Sequence, residues 1–357
     1  MTFKILAINP GSTSTKIAVF ENENQVFIKT IRHSAEEIAQ FPTIFSQFKY
    51  RKDLILNELR EAGIEISDMN AVVGRGGLVH PIESGTYEVN EAMLRDLEQA
   101  VMGEHASNLG GLIAHDIVST LDNGTKAYIA DPVVVDELEP LARVSGHPAF
   151  PRVSIFHALN QKAIARLYAK ESGRKYEDLN LIVVHLGGGI SVSAHCRGRV
   201  IDTNNALDGD GPFSPERSGG LPTGFLVKFC FSGEKTLAEV KKMLCGAGGI
   251  VAYLGSNDMM EVEKKAAVDE TWKYYMDAMS YQVAKEIGAM AAVLKGRVDA
   301  ILLTGGIAYS KPITSHITEQ VAFIAPVKIY PGEDEMRALA MNGLSVLRKE
   351  TQPRVYS

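Results

Sequence analysis

The chain of 357 residues is long enough to form two domains of ordinary size, each with its own hydrophobic core. Its 45% hydrophobic and 22% charged residues are typical of a globular protein and exclude a disordered chain. The formal net charge of −6, without any polybasic run, argues against nucleic acid as a partner.

The N-terminal segment is predicted to form three strands around a small polar turn. Residues 3–8 are an apolar strand, and the next two strands are residues 16–20 and 25–30. The connecting turn, residues 9–15, is rich in glycine and hydroxyl groups. It is not a P-loop, because the second glycine, the hydroxyl residue after the lysine and the following helix are all missing. If this turn binds phosphate, it does so in another way.

Helices and short strands alternate through the next part of the chain. Ser34 and Glu37 form a capping-box pattern ahead of an apolar helical run that Pro42 is expected to split. Two short strands end at the glycine-flanked Arg75 and at Asp131, and the two prolines of residues 146–151 predict a domain boundary. The strands are residues 71–73 and 126–130, and further helices are predicted over residues 52–62, 90–101 and 107–124.

Residues 181–202 repeat the N-terminal pattern of strands and turns. A buried strand at 181–184 precedes three consecutive glycines, an alternating strand and a short turn into a third strand. Because this order occurs twice, we predict two related domains that each open with an antiparallel meander. Gly187, Gly188 and Gly189 are expected to adopt positive φ, to admit a ligand close to the backbone and to form an anion-binding nest. A tight hairpin that needs glycine for its turn alone is the alternative.

The other elements of the second half flank this repeat. A helix over residues 154–172 precedes it, and a long helix over residues 269–294 follows it. The last strands are residues 298–303, which lead into Gly305 and Gly306, and residues 327–330. A terminal helix is predicted from residue 334.

Cysteine use and the apolar segments predict the compartment. The three cysteines are odd in number and lack metal-type spacing, which favours reduced thiols in a reducing compartment. The apolar start is interrupted at residues 9–11 and lacks the core of a signal peptide. The most apolar helical run, residues 281–294, is too short to cross a bilayer and carries Lys285 and Glu286. We therefore expect a cytoplasmic protein without a membrane partner.

Seven motifs, in this order, resemble those of the acetokinase family of acetate and butyrate kinases. They are AINPGSTSTKIAVF, VVGRGGLVHP, IADPVVVDE, VSIFHALNQ, VVHLGGGISV, DGDGPFSPERSGG and ILLTGGIA. The resemblance covers essentially the whole chain and is greatest to the shorter, butyrate kinase branch. Acetate kinases carry Asn where this chain has Gly188, and usually His-Gly-Gly where it has Arg75-Gly76-Gly77.

The resemblance implies an α/β fold of the acetate kinase, sugar kinase, Hsp70 and actin superfamily. This is the two-domain actin-like ATPase fold, a duplicated ribonuclease H-like domain, with a cleft between the domains. Residues 1–150 with 336–357 would then form the domain for the acyl substrate and phosphate contacts. Residues 151–335 would form the nucleotide-binding domain. The family also implies a homo-oligomer, a dimer or larger.

The implied reaction transfers the γ-phosphate of ATP to a short-chain carboxylate such as butyrate, with Mg²⁺, giving ADP and an acyl phosphate. The carboxylate is already ionised at neutral pH, since its pKa is about 4, so no general base is required. The difficulty is to bring one anion up to another. Catalysis should therefore come from positioning and from cations aimed at the transferring phosphoryl group.

Two arginines are predicted to meet the reacting groups. By resemblance, Arg217 stabilises the phosphoryl group in transfer, and a solvated pair with Glu216 is the alternative. Arg75 stands at a strand end between glycines, where its guanidinium can bind a carboxylate or phosphate through two hydrogen bonds. A structural salt bridge is the alternative for Arg75.

Two carboxylates are candidates for magnesium. Asp131 follows a strand and suits a metal held through water, or alignment of the substrate, and its alternative is a turn-starting cap. Glu335 matches the magnesium-associated glutamate of the family. An acidic residue in a first helical turn is also favoured by the helix N-terminus alone.

Two histidines and the glycine turns complete the implied site. His185 matches the histidine that contacts the phosphoryl group, and His157, predicted to lie on a helix, is likewise matched. Packing is the alternative for both. The three central glycines should hold the β-phosphate side, and Gly305 with Gly306 should pass under the adenosine or form a simple turn. The first turn supplies residues that resemble ligands of the phosphate chain and its magnesium: Asn9, Ser12, Ser14 and Lys16.

Four classes of function are compatible with a fold of this superfamily. A short-chain fatty acid kinase is favoured, with butyrate, isobutyrate, acetate or propionate as its substrate. A sugar kinase would need a base aspartate, for which Asp131 could be mistaken. An ATP-driven binding protein like Hsp70 or actin would not need the arginine pair. A non-catalytic nucleotide sensor could also dispense with Arg75 and Arg217.

Overall fold

The computed structural model describes residues 2–357. They form two compact units. The first contains the chain up to Val135 and again from Asp334 to Ser357, and the second runs from Asp136 to Glu333. A membrane-spanning helix is absent from residues 2–357.

The first unit is built on a six-stranded mixed sheet. Its strands are β1 (Lys4–Pro10), β2 (Ser14–Glu21), β3 (Asn24–Arg32), β4 (Ala71–Arg75), β5 (Thr86–Glu88) and β6 (Lys126–Ala130). Their spatial order is β3-β2-β1-β4-β6-β5. β1 to β3 form the predicted antiparallel meander, and β4 and β6 continue the sheet parallel to β1. β5, which was not predicted, pairs antiparallel with β6.

Local signals explain the helices between these strands. Ser34 and Glu37 form the predicted capping box at the start of the first helix, which ends before Pro42. Asn90 caps the third helix through a hydrogen bond from the Met93 N–H, as its position suggested. The helices are α1 (Ala35–Ile38), α2 (Phe48–Glu61), α3 (Glu91–Gln99) and α4 (Asn108–Ser119).

Two glycines let α4 lie directly against the end of β4. A Cβ added at Gly74 would stand 2.2 Å from the Gly110 carbonyl oxygen, and one at Gly110 would stand 2.3 Å from the Arg75 carbonyl oxygen. Any side chain would therefore separate the helix from the strand. This close approach fixes the backbone of Arg75, the last residue of β4.

The second unit repeats the sheet order of the first without an added edge strand. Its strands are β7 (Asn180–Leu186), β8 (Ile190–Cys196), β9 (Arg199–Thr203), β10 (Ala300–Gly305) and β11 (Val327–Pro331). The order is β11-β10-β7-β8-β9, with β7 to β9 antiparallel and β10 and β11 parallel to β7. β1 and β7 thus occupy equivalent positions, so the predicted internal repeat is confirmed.

One long helix forms much of the second core. This helix, α10 (Glu270–Val293), buries residues at helical spacing, including Met279, Val283 and Ile287, in the same apolar cluster as Val192 of β8. Each such side chain contributes about 1.5–3 kcal/mol to the hydrophobic stabilisation of the folded state. The helices of this unit are α5 (Ala158–Glu171), α6 (Thr223–Cys230), α7 (Leu237–Leu244), α8 (Ile250–Leu254), α9 (Met259–Ala266), α10 (Glu270–Val293) and α11 (Lys311–Val321). α6 to α9 were not predicted.

The start of α5 differs from the prediction. The helix begins at Ala158, so His157 precedes it, with φ −79° and ψ 62°. Its ring Nδ1 and its N–H both lie within hydrogen-bond distance of the Ser191 hydroxyl, at 2.9 and 3.4 Å. These contacts with β8 hold His157 out of the helix that the local pattern favours. The last helix, α12 (Glu335–Leu347), belongs to the first unit and is capped by Asp334.

Candidate functional site

Three predicted site residues of the first unit form one hydrogen-bonded cluster. The side-chain amide of Asn9 donates to Glu335 Oε2 at 2.5 Å. Arg75 Nη1 donates to Asn9 Oδ1 at 3.3 Å and to Glu335 Oε2 at 3.2 Å. These side chains come from the ends of β1 and β4 and from the first turn of α12. The N-terminus of α12 favours the negative charge of Glu335. The cluster thus combines the guanidinium of Arg75, the carboxylate of Glu335 and the amide of Asn9.

The other residues of the first turn lie outside this cluster. Ser12 is exposed, and the turn proper spans only residues 11–13, because Ser14 already belongs to β2. Lys16 is exposed and stands opposite Asn9 in the β1–β2 register. Ser12, Ser14 and Lys16 make no side-chain hydrogen bond to Asn9, Arg75 or Glu335.

Asp131 has a strained backbone and a held carboxylate. It follows β6 directly, is buried, and has φ +38°, a conformation that residues with a side chain rarely adopt. Its Oδ1 accepts hydrogen bonds from the Ser84 hydroxyl at 2.6 Å and from the Gly85 N–H at 2.8 Å. The carboxylate therefore caps a neighbouring segment.

Two of the three central glycines, Gly187 and Gly189, allow side chains to approach closely, and the positive φ expected for all three is wrong. Gly187, Gly188 and Gly189 are not among the residues with positive φ. A Cβ on Gly187 would instead lie 2.9 Å from His185 Nε2, and one on Gly189 would lie 2.0 Å from Arg217 Nη1. The hairpin between β7 and β8 thus brings two predicted site side chains against its backbone.

The two predicted histidines stack on each other in the second unit. The rings of His157 and His185 lie 3.7 Å apart between centroids with 9° between their planes. His185 Nδ1 is 2.9 Å from Asn160 Oδ1, and His157 Nδ1 is 2.9 Å from Ser191 Oγ. Because an amide oxygen only accepts, His185 donates from Nδ1. Asn160 and Ser191 were not predicted, because neither stands in a pattern that indicates such a contact.

Arg217 has no carboxylate partner among residues 2–357. Its Nη1 donates to the Ala206 carbonyl, while its buried Nε has no hydrogen-bond partner. The suggested pair with Glu216 does not form, since Glu216 accepts a hydrogen bond from Asn257 at 3.1 Å instead. A guanidinium beside a glycine hairpin, with an unsatisfied donor, can accommodate an anion.

Gly306, which follows β10, borders a cavity that was not predicted from the sequence. Gly305 has φ +93°, and a Cβ there would lie 2.3 Å from the Leu186 carbonyl oxygen. Gly306 and the turn after it line a cavity of about 830 Å³ together with α9 and α10. Its lining is mainly apolar, as in many small-molecule sites, and includes Met259, Met260, Met276, Ile307, Tyr309 and Lys273.

The chain is similar to a known family and to full-length relatives. The family model described as the acetokinase family matches residues 152–339. Butyrate kinase 2 of Clostridium acetobutylicum is 58% identical over 357 residues, which cover 100% of both chains. Butyrate kinase 1 of the same organism is 58% identical over 355 residues, 99% of each chain.

Two solved structures show the fold. The acetate kinase of Porphyromonas gingivalis has a TM-score of 0.79 at 18% identity, covering 97% of this chain and 100% of that chain. The propionate kinase of Francisella tularensis has a TM-score of 0.71 at 19% identity, covering 95% and 98%. With the duplicated sheets they confirm the predicted α/β fold of the actin-like ATPase type. Because the family model covers more than half of the chain and the relatives match its whole length, the chain belongs to the acetokinase family.

Proposed function

We propose that the protein is a short-chain fatty acid kinase that transfers the γ-phosphate of ATP to butyrate, giving butyryl phosphate and ADP in a reversible reaction. The full-length relatives at 58% identity carry the name butyrate kinase, which supports butyrate over other acids. The structural observation that carries the proposal is Arg217. It is a guanidinium without a carboxylate partner among the described residues, packed against a glycine hairpin.

The second unit would hold the nucleotide. The β7–β8 hairpin with Arg217 suits the phosphate chain, since backbone donors and a cation favour an anion there. The mainly apolar cavity beside Gly306 is large enough for a nucleoside, and Lys273 and Asp258 give it polar groups. Stacked His157 and His185 adjoin the same hairpin and would contact the phosphoryl group.

The first unit would contribute to the acyl substrate and to magnesium. The carboxylate nucleophile needs no base, so the role of Arg75 would be to neutralise and orient an anion. Glu335 and Asp131 offer carboxylate oxygens, the ligands that magnesium prefers. No three His, Cys, Asp or Glu side chains among residues 2–357 are grouped to hold a metal, which fits an ion bound largely through phosphate oxygens. Magnesium, when bound, would neutralise charge on those oxygens.

The location and assembly of the protein are part of the proposal. All three cysteines are unpaired, which fits a reducing, cytoplasmic compartment. A homo-oligomer is expected from the family, and sedimentation of the purified chain would test it.

Trapping of the product with hydroxylamine tests the function. ATP, magnesium and butyrate should give butyryl hydroxamate, and a panel of acetate, propionate, isobutyrate and isovalerate should rank below butyrate. A higher kcat/KM for isobutyrate, acetate or propionate would reassign the substrate within the same class. Absence of hydroxamate with every acid, together with turnover of a sugar, would contradict the proposal.

A further inference from the structure

Arg51 lies fully buried beneath the turn that joins β1 to β2. Its Nη1 donates to the Gly11 carbonyl at 2.7 Å, to Thr15 Oγ1 at 3.0 Å and to the Ser14 carbonyl at 3.4 Å. Its Nη2 donates to the Ser12 carbonyl at 3.4 Å. The guanidinium of Arg51, on α2, thus hydrogen-bonds to the backbone of the turn between β1 and β2.

All the partners of Arg51 are neutral. Apart from the turn, its Nε donates to Gln47 Oε1 at 3.0 Å, and no carboxylate among residues 2–357 forms an ion pair with it. Burial lowers the pKa of the Arg51 guanidinium, but arginine stays protonated in proteins. A buried positive charge without a counter-ion is costly, so an anion nearby would stabilise it.

The backbone carbonyls of this turn accept hydrogen bonds from the protein, whereas two of its N–H groups have no partner among the described residues. The carbonyls of Gly11, Ser12 and Ser14 meet Arg51, and the Thr13 carbonyl accepts a hydrogen bond from the His33 N–H at 2.9 Å. The N–H groups of Ser12 and Thr13 donate to no group in residues 2–357, and both residues are exposed. Two adjacent N–H groups without a partner and the hydroxyls of two exposed residues therefore belong to a turn held by a buried cation, which is the composition of an anion receptor.

We propose that Arg51 is a positioning residue that makes this turn a receptor for a phosphoryl group. By holding the carbonyls, it orients the N–H groups of Ser12 and Thr13 toward the ligand, and its charge is balanced when the anion binds. The inference rests on the proposed function and on the family resemblance, which implies that this turn contacts the phosphate chain of ATP. It adds a residue from α2 that belongs to none of the glycine-rich motifs.

Millisecond hydrogen exchange of the peptide that covers residues 9–16 tests this role in the full-length protein. Inorganic phosphate should slow exchange in the wild type. Arg51→Met should abolish the slowing, and Arg51→Lys should leave a smaller effect, because an ammonium group keeps the charge but cannot hold the Gly11 and Ser12 carbonyls together. Lys52→Gln is the matched control, since Lys52 lies next on α2 and pairs with Asp116.

Kinetics supply the second readout. In Arg51→Met, kcat/KM for ATP should fall by about 10- to 100-fold, the scale of one hydrogen-bonded charge, while the KM for butyrate stays unchanged. Thermal melting shows whether each variant folds. If Arg51→Met does not fold, the comparison of Arg51→Lys with the wild type tests the proposal. A merely structural arginine would lower the melting temperature without changing the phosphate effect.

The outcomes separate this inference from the proposed function. Absence of phosphate protection in the wild type, or protection in Arg51→Met or Arg51→Lys equal to that in the wild type, would overturn the role of Arg51. If the wild type nevertheless forms butyryl hydroxamate, the proposed kinase function remains supported although the role of Arg51 is rejected. Phosphate protection that depends on Arg51, without any hydroxamate formation, would support the receptor and contradict the kinase.

Discussion

His157 and His185 stack face to face, with 3.7 Å between their ring centroids and 9° between their planes. Separate partners hold them: Asn160 binds Nδ1 of His185 and Ser191 binds Nδ1 of His157. Neither ring can turn without breaking its hydrogen bond and the stacking contact. In His185 this leaves Nε2 directed against Gly187, at the hairpin that we assign to phosphate.

We expect Asn160→Leu to lower kcat by about tenfold, because His185 would lose the acceptor that fixes its ring, at a cost of about 1–3 kcal/mol for the unsatisfied donor. Steady-state kinetics measure the effect, and thermal melting reports any loss of folding. Ser193→Ala is the control, since Ser193 lies on β8 as Ser191 does, but its hydroxyl pairs with Thr203. An Asn160→Leu enzyme with wild-type kcat would show that the orientation of His185 does not matter.

Arg217→Ala should lower kcat by roughly 10²–10³, the loss expected for one preorganised donor to the transition state. Gly189→Ala should act through the same group, because its Cβ would stand 2.0 Å from Arg217 Nη1 and force the guanidinium away. The double variant should therefore be no slower than Arg217→Ala alone. Gly288→Ala, where a Cβ meets nothing within 4 Å, is the control. Additive losses in the double variant would argue against this shared path.

Features that depend on neighbouring residues in the chain were predictable from the sequence. The Ser34 capping box, the two meanders and the strand that precedes Asp131 follow from spacing over a few residues. The shared order of the two sheets agrees with the predicted repeat, although the order itself was not predicted. The glycines at 187–189 were predicted to be structurally required, but the predicted reason, positive φ, was wrong. Gly187 and Gly189 are required because the side chains of His185 and Arg217 approach the backbone there.

Contacts between distant residues were not predictable in this way. Arg51 hydrogen-bonds to Gly11, which lies 40 residues earlier in the sequence. Nothing in the sequence pattern of α2 distinguishes a buried arginine from a solvated one. Asn160 and Ser191 likewise acquire their partners only when α5 packs beside β7 and β8. The part of the cavity that α9 lines was not predicted, because the residues of α9 belong to no recognisable motif and show only the spacing of an ordinary amphipathic helix.

Glu335→Gln should raise the magnesium concentration needed for half-maximal activity by about 10- to 100-fold, if this carboxylate orients or binds the ion. The amide keeps the shape and can still bond Asn9, but it loses the charge that Arg75 neutralises. Titration of activity with magnesium at saturating ATP is the measurement. Asp131→Asn tests the other carboxylate in the same assay.

Asp334→Asn is the matched control for Glu335→Gln. It removes the adjacent negative charge, while an amide oxygen can still accept the capping hydrogen bond from the Arg337 N–H, which is 3.0 Å long here. Its magnesium dependence should equal that of the wild type. A magnesium requirement unchanged in both Glu335→Gln and Asp131→Asn would remove both residues from the metal assignment.

His195 predicts how stability depends on pH. It is fully buried, its Nε2 lies 2.9 Å from Gln161 Oε1, and its Nδ1 lies 2.6 Å from the Tyr176 hydroxyl. Burial, with the charges of Lys162 and Arg166, lowers the pKa of His195 well below its ordinary value. The folded protein therefore keeps this ring neutral, whereas the unfolded chain takes up a proton below a pH of about 6.5. The unfolded state binds more protons in that range, so stability is full above about pH 6.5 and falls as pH falls.

In urea unfolding at pH 7.5, 6.5 and 5.5, this single group should reduce the free energy of unfolding by up to about 1.4 kcal/mol for each pH unit below its unfolded pKa. His195→Gln should reduce that slope without abolishing it, because burial also lowers the pKa of His33. His147→Gln, a change at an exposed histidine, should keep the wild-type slope. Equal slopes in the wild type and His195→Gln would mean that His195 is protonated in the fold. That result would contradict the neutral ring, in which Nε2 donates to Gln161 Oε1 and Nδ1 accepts a hydrogen bond from the Tyr176 hydroxyl.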